Sequence, residues 1–276
     1  MQVAESGGGG PGGQRLCVFH RAHGARPRGR VVHVHALAEE MHKSRRMVAL
    51  QSRGLAEAGY SVLQIDLLGC GDSSGDFGDA SWAAWAADVL RACDWLRRVD
   101  DDHAAAPLWL WGHRAGALVA VDAARQLQEP AHFCFWQPPA AGKTLLQQFL
   151  RLKLAAEMQG GGAKGLMEQM RQQLAAGQCV EIAGYALSPE LAQGLEAARL
   201  QPPGHHVGRV EWLELDSRED ASLSPVSAQT QAQWSAAGWA VRSQLLRGPA
   251  FWQTTEIEDA PALLAATSAA LAAEPA

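Results

Sequence analysis

The stretch PLWLWGHRAGALVAVDAARQL, Pro107–Leu127, joins an apolar run to a helical pattern through a turn framed by Gly112 and Gly116. The apolar run predicts a strand buried on both faces, and the alanine-rich continuation predicts a helix over 115–126. Such a strand, turn and helix form a nucleophile elbow, in which a G-x-S-x-G turn holds a serine above the sheet. Here the middle position of the turn is Arg114. The stretch therefore predicts the backbone of an elbow without its usual nucleophile.

Strand-like and helix-like patterns alternate on both sides of this stretch. Strands are predicted at 16–20, 30–36, 60–69, 107–112, 132–138, 209–217 and 239–246, and helices at 43–59, from 81, at 115–126, at 143–158, at 226–236 and from 261. This alternation predicts an α/β fold with a doubly wound, mostly parallel sheet. We expect a disordered Gly-rich tail over 1–14, a core of 15–141 and 207–276, and a helical cap or lid insert over 142–206.

Composition excludes several functional classes. The 276 residues are 47% hydrophobic and 19% charged with a net charge of −5, which gives no reason to expect nucleic acid as a partner. The sequence contains no run of about 18 apolar residues, so no membrane span is predicted. The first residues also lack the apolar region of a signal peptide. The five cysteines form no C-x-x-C pair, which predicts reduced thiols and a cytoplasmic location.

The order of these segments resembles the α/β-hydrolase superfamily from about residue 16 to 275. The resemblance is carried by HALAEE after the second strand, GCGDSSGD after the third, the elbow LWGHRAG and the late EWLELDSRED. More narrowly, AEEMHKSRRM, WGHRAGALVA, QFLRLKLAAEM, VEIAGYALSPELA and FWQTTEIEDAP resemble the second of the two hydrolase-like proteins associated with the exosortase A system. That resemblance implies partners in PEP-CTERM protein sorting and exopolysaccharide production, but it implies no substrate.

A serine-hydrolase relay needs a nucleophile, a carboxylate and a histidine, which follow in that chain order in α/β-hydrolases. Arg114 stands at the nucleophile position, and a guanidinium cannot attack a carbonyl. Asp216 and Asp220 follow the strand where the acid is expected, but no histidine follows His206 in the chain. The sequence therefore predicts a degenerate elbow in a hydrolase by fold, with unconventional or no serine-hydrolase activity.

Three other residues stay open as catalytic groups. Ser73 lies in a second G-x-S-x-G match, and Cys70 lies just before it, although both types are also common as small turn residues. His113, next to Arg114, can act as an acid or base, or it can pack under the insert. These residues leave open an ester or thioester hydrolase with an unconventional catalytic set.

Arg114 itself has two further interpretations. If its charge is free, the guanidinium and the N–H groups of Ala115 and Gly116 form an anion site at a helix N-terminus. If it is paired, it plugs an inactive site by an ion pair with Glu39, Glu40 or an aspartate of the acid position, since an unpaired buried charge is costly. The first interpretation predicts a non-catalytic binding or scaffold protein, a pseudoenzyme that holds an anionic or carbohydrate-like ligand.

Two aromatic residue types also bear on the pocket. His33 and His35 share one face of a predicted strand, but two histidines are a weak metal signal, so we predict no metal and no cofactor. His35 is instead expected at the pocket wall. The tryptophans expected at the pocket rim, where indoles stack on sugars, are Trp82, Trp109, Trp111, Trp136 and Trp252. Trp109 and Trp111 share a face by strand parity, and the core is the alternative placement for these two.

Overall fold

The computed structural model describes residues 2–5, 13–24, 27–99, 105–158, 165–204 and 206–273. Its strands are β1 Gln2–Glu5, β2 Gln14–His20, β3 Gly29–Val34, β4 Tyr60–Ile65, β5 Leu108–His113, β6 Ala131–Trp136, β7 Val180–Ile182, β8 Tyr185–Leu187, β9 Arg209–Asp216 and β10 Ala240–Arg247. Its helices are α1 Glu39–Glu57, α2 Trp82–Val99, α3 Ala115–Ala124, α4 Gly142–Met158, α5 Leu166–Ala175, α6 Pro189–Ala197, α7 Pro225–Ala236 and α8 Pro261–Ala272.

The main sheet has eight strands in the order β1-β2-β4-β3-β5-β6-β9-β10. Six neighbouring strands, β4, β3, β5, β6, β9 and β10, run parallel to one another. Strand β2 pairs antiparallel with β1 and with β4. Parallel neighbours need crossover connections, which the helices provide. Side chains of α1 and α8 cover one face of the sheet, and side chains of α2, α3 and α7 cover the other. The predicted doubly wound, mostly parallel α/β sheet is confirmed.

The central strand β5 is buried on both faces, and its side chains alternate between two cores. Leu108 and Leu110 pack toward α2 and α3, whereas Trp109 and Trp111 pack toward α1 and α8 together with Trp136 of β6. The prediction of a pocket rim is therefore wrong for Trp136, and for Trp109 and Trp111 the alternative placement in the core is the one observed. Strand alternation beneath a helical layer places their indoles in the core, where they have no access to a ligand.

Between β6 and β9 the chain leaves the sheet and forms α4, α5, the antiparallel β7–β8 pair and α6. The sequence predicts only helices here, so the hairpin is a difference. Ala183 and Gly184, with φ of 50° and 84°, form the two-residue turn, a conformation that suits the twist of a hairpin. The function of this insert as a lid and the domain boundaries stay predictions.

Part of the segment predicted as a tail lies in strands of the structure. Gln2–Glu5 pairs antiparallel with β2, and β2 itself begins at Gln14. The tail is predicted from the polar, glycine-rich composition of this segment. Pairing at a sheet edge uses backbone groups and does not require apolar side chains, so this composition does not prevent it. Residues 6–12 lie outside the described residues.

Candidate active site at the elbow

The turn between β5 and α3 has the strained backbone of an elbow. Arg114 has φ 53° and ψ −117°, a conformation that non-glycine residues rarely adopt. Its N–H donates to the carbonyl of Trp136 at 2.9 Å. A Cβ at Gly116 would lie 2.0 Å from the carbonyl oxygen of Val34, so only glycine lets α3 approach β3 this closely. A Cβ at Gly112 would meet α3 backbone atoms in the same way.

The Arg114 guanidinium is bound to Glu40 in the first turn of α1. Nη2 donates to Glu40 Oε1 at 2.9 Å, and Nε donates to the two carboxylate oxygens at 3.2 and 3.3 Å. Nη2 also donates to Oε1 of Gln148, on α4, at 3.2 Å. The Arg114 side chain is 10% exposed and that of Glu40 is 15% exposed. The predicted pairing of Arg114 with a nearby carboxylate thus forms with Glu40, while no bond joins Arg114 to Glu39 among the described residues.

The loop between β10 and α8 adds a third partner for the guanidinium. Arg114 Cζ lies 5.7 Å from the ring centroid of Trp252, within the range of a cation–π contact. Trp252 and the adjacent Phe251 are buried. This loop follows the last strand, which is where the relay of a serine hydrolase carries its histidine. The side chain of this loop that contacts the elbow residue is therefore an indole.

A cavity of about 450 Å³ opens beside the Arg114–Glu40 pair. Its polar lining residues are Glu39, Glu40, Lys43, Gln148 and Gln253, and its apolar lining residues are Leu37, Leu145, Phe149 and Leu152. The polar groups come mainly from the first turns of α1, and the apolar groups come mainly from α4. This volume and this mixture are typical of small-molecule sites. We call this space the elbow cavity.

His113 lies next to Arg114 in sequence but does not line the elbow cavity. Its ring is fully buried, stacks on Phe251 at 5.4 Å between centroids, and packs edge-on against Trp136 and Trp252. Burial and the nearby Arg114 charge lower the pKa of His113 well below its usual value. The enclosed ring, whose charged form is disfavoured by burial, is thus poorly suited to act as an acid or base on a ligand in the cavity.

Ser73 and Cys70 are also placed away from the elbow cavity. The Ser73 hydroxyl donates to the carbonyl of Asp66 and accepts from the N–H of Leu16 at 2.9 Å, so it joins the β4 turn to β2. The Cys70 thiol is buried, and burial raises its pKa well above the usual value. A nucleophile needs an accessible thiolate or an activated hydroxyl, and neither residue provides one in this arrangement.

His35 is held by backbone groups. Its Nδ1 donates to the carbonyl of Ala36 at 2.7 Å, and its Nε2 accepts from the N–H of Leu67 at 3.2 Å. His33 packs against the indole of Trp111, with 4.4 Å between centroids. Burial is the main reason why the pKa of both histidines is lowered. No group of three or more His, Cys, Asp or Glu side chains that could hold a metal ion occurs in the described ranges.

The predicted acid position is not connected to Arg114. Asp216, at the end of β9, pairs with Arg218 at 3.0 Å. Hydrogen bonds from Arg218 are the main cause that lowers the pKa of Asp216 to about 2. Asp220 lies on the exposed loop that follows. The structure therefore joins Arg114 to the α1 carboxylate and leaves both aspartates of the acid position outside this site.

Three polar residues of the site are not predicted from the sequence. Gln148 faces Arg114 from the insert, and Lys43 and Gln253 line the cavity. Gln148 and Lys43 lie on amphipathic helices whose polar faces usually contact solvent, so nothing in their spacing indicates a site. A second elbow-like turn at Ala38, with φ 50°, starts α1 and aims Glu40 at Arg114, and no glycine marks it in the sequence.

Comparison with known sequences finds its matches in part of the chain only. Residues 25–157 match the family model described as serine aminopeptidase S33. The match covers just under half of the chain, includes the elbow, and ends before the acid and histidine positions. A stretch of 75 residues is 35% identical to the lysophosphatidylserine lipase ABHD12 of Xenopus tropicalis, which is 27% of this chain and 18% of that protein. The likeness therefore spans less than a fifth of the length of that relative.

Comparison with solved structures extends to nearly the whole chain. Est1E from Butyrivibrio proteoclasticus, solved with ferulic acid bound, has a TM-score of 0.65 at 16% identity, over 94% of this chain and 93% of Est1E. A soluble variant of monoglyceride lipase from Saccharomyces cerevisiae, in complex with a substrate analogue, has a TM-score of 0.61 at 13% identity, over 98% of this chain and 94% of the lipase. At these identities the likeness shows the fold alone, which is the α/β-hydrolase fold.

Proposed function

We propose that this α/β-hydrolase-fold protein binds a small molecule in the elbow cavity and does not hydrolyse it through a serine relay. The observation that carries the proposal is the Arg114–Glu40 ion pair at the position of the nucleophile. A guanidinium stays protonated and has no hydroxyl or thiol that a base can activate. Trp252 fills the expected histidine position, so both reacting groups of the relay are replaced by groups that bind.

A hydrolase with an unconventional catalytic set is the second candidate function. Its groups are Ser73, Cys70 and His113, and none of the three lines the elbow cavity. Ser73 is occupied by backbone hydrogen bonds, Cys70 is buried, and His113 is enclosed by aromatic rings. These contacts favour the binding function over ester or thioester hydrolysis.

The walls of the elbow cavity favour an amphiphilic ligand. Leu145, Phe149 and Leu152 of α4 offer an apolar surface, and α1 offers Lys43 and Glu40, the residue that pairs with Arg114. Few polar groups on an apolar surface are what orients ligands in such sites. The names of two similar proteins agree with this class, since one is solved with ferulic acid and another is a lysophosphatidylserine lipase. A carbohydrate ligand has less support, because most tryptophans lie in the core.

Ligand binding and hydrolysis can be tested together with one cavity variant and one matched control. Leu152→Trp narrows the elbow cavity, whereas Val226→Trp changes an equally apolar, exposed position outside it. We expect medium-chain carboxylates to raise the melting temperature of the wild type and of Val226→Trp, but not that of Leu152→Trp. Hydrolysis of p-nitrophenyl esters by the wild type that disappears in Ser73→Ala or Cys70→Ala would refute the proposal.

We also propose that the protein acts with the exosortase A system in the cytoplasm. The support is the set of sequence motifs that resemble the second hydrolase-like protein of that system, and the matched family and relatives named above add none. None of the described helices has the length and apolar character needed to cross a membrane. Deleting the gene in its host and measuring PEP-CTERM protein processing and exopolysaccharide yield tests the association. Unchanged values for both would contradict it.

A further inference from the structure

We infer that Glu40 is a built-in occupant of a carboxylate subsite at Arg114, and that the carboxylate of a ligand binds there by displacing it. The inference rests on the proposed function, because it assumes that a ligand enters the elbow cavity. It names the class of that ligand as a monocarboxylate with an apolar body. It also assigns Glu40 a regulatory role, since Arg114 becomes available only when Glu40 leaves.

The guanidinium already binds a carboxylate in the geometry that a ligand would use. Nε and Nη2 of Arg114 both donate to the Glu40 carboxylate, at 2.9 to 3.3 Å. Two parallel N–H donors on one carboxylate are the strong, directional form of this interaction. The subsite for a carboxylate is therefore fully formed, and its present occupant is a side chain of the protein itself.

The two partners of this pair are held very differently. Arg114 is fixed by the Gln148 amide, by the face of Trp252 and by its strained backbone at the start of α3. Among the described residues, every hydrogen bond of the Glu40 carboxylate goes to Arg114. When the ion pair opens, Arg114 thus keeps its position while Glu40 is free to change rotamer.

A displaced Glu40 has a second cation within its reach. Lys43 is three residues further along α1, lines the same cavity, is exposed, and forms no ion pair with the described residues. Side chains at this spacing are neighbours on a helix surface. The first turn of α1 also favours a carboxylate through the helix dipole. Glu40 can therefore leave Arg114 and pair with Lys43, while the carboxylate of the ligand takes its place at Arg114.

The apolar wall limits which carboxylates can make this exchange. A ligand that enters the cavity with its carboxylate toward Arg114 contacts the apolar residues Leu145, Phe149 and Leu152 of α4, which line the cavity. The ion pair of Arg114 with Glu40 and the ion pair of Arg114 with a ligand carboxylate have nearly equal free energies. The burial of apolar ligand surface against α4 therefore supplies the free energy that drives the exchange. An uncharged amphiphile can use the same wall but cannot take the place of Glu40.

The experiment compares octanoate with 1-octanol in calorimetric titrations of the full chain. Glu40→Gln removes the competing charge, so we expect it to bind octanoate roughly tenfold more tightly than the wild type, with 1-octanol unchanged. Lys43→Gln is expected to weaken octanoate binding, because Glu40 loses its second partner. Asp259→Asn breaks a matched arginine–carboxylate fork at the surface, with Arg46, and is expected to change neither affinity.

Each outcome separates this inference from the proposed function. Octanoate binding that is unchanged or weaker in both Glu40→Gln and Glu40→Ala, each shown to be folded by circular dichroism, overturns the exchange. So does an equal gain in Glu39→Gln, which removes the same charge from the cavity without touching Arg114. If 1-octanol still binds in either case, the binding function stands. If neither probe binds any variant, the proposed function fails together with the inference.

Discussion

Replacing Arg114 by Met and Glu40 by Gln, separately and together, measures what the elbow pair contributes to stability. The two side chains are 10% and 15% exposed, so water screens their attraction far less than at the surface. Breaking a fully buried pair costs about 3–5 kcal/mol. Because Glu40 keeps some exposure and Lys43 lies nearby, we expect each single variant to lose about 2–3 kcal/mol of unfolding free energy, with a coupling of about 1–3 kcal/mol.

A second ion pair of the same type provides the control for this cycle. Arg46 and Asp259 form two hydrogen bonds of 2.8 Å, but their side chains are 55% and 34% exposed. Exposed pairs contribute about 0.2–1 kcal/mol. Urea unfolding followed by tryptophan fluorescence gives both couplings, with Arg46→Met and Asp259→Asn as the control variants. An elbow coupling no larger than the control coupling would refute the claim that Arg114 is held by Glu40 in a largely buried pair.

Arg114→Ser introduces a hydroxyl at the elbow but is expected to hydrolyse p-nitrophenyl acetate no faster than the wild type, because Trp252 rather than a histidine contacts this position; a large gain in rate would contradict this prediction. Burial lowers the pKa of His33 and His113 in the folded chain, so as the pH falls the unfolded chain binds protons at a higher pH than the folded chain. The free energy of unfolding should therefore decline below about pH 6.5, by up to ~1.4 kcal/mol per pH unit for each histidine. Urea unfolding at pH 5 and 7.5 tests this, and His113→Phe should show the smaller decline; an equal decline would contradict it. Burial also raises the pKa of the Cys134 thiol, so DTNB should modify the exposed Cys179 quickly and the four buried cysteines slowly, whereas equal rates would contradict the packing.

Most of the fold is predictable from the sequence because its strands are continuous apolar runs, whereas its helices repeat apolar residues at helical spacing. The apolar run of β5 and the two glycines at 112 and 116 mark a strand, a close backbone approach and a helix start, and the structure has all three. The hairpin Val180–Leu187 is different. It has only three residues in each strand, which is too short for a period of two to stand out from the helical pattern around it.

The candidate site is predictable in its chemistry but not in its partners. A buried arginine at the end of a strand requires a carboxylate, and the first turn of α1, which follows β3, offers two of them. The choice of Glu40 over Glu39 depends on the phase of α1, which is set by the turn at Ala38. Gln148 belongs to an insert whose position over the sheet is determined by tertiary packing, so its contact with Arg114 has no local signal.

Three strained turns at the ends of parallel strands give a physical reason for the survival of this geometry. Ala38, Arg114 and Gln137 follow β3, β5 and β6, with φ of 50°, 53° and 46°. Each such conformation costs about 1–3 kcal/mol and persists only where the surrounding structure maintains it. In a serine hydrolase the catalytic relay would account for the strain at the elbow. Here the turns at Ala38 and Arg114 start the two helices that bring Glu40 to the guanidinium, so the ion pair depends on both strained turns.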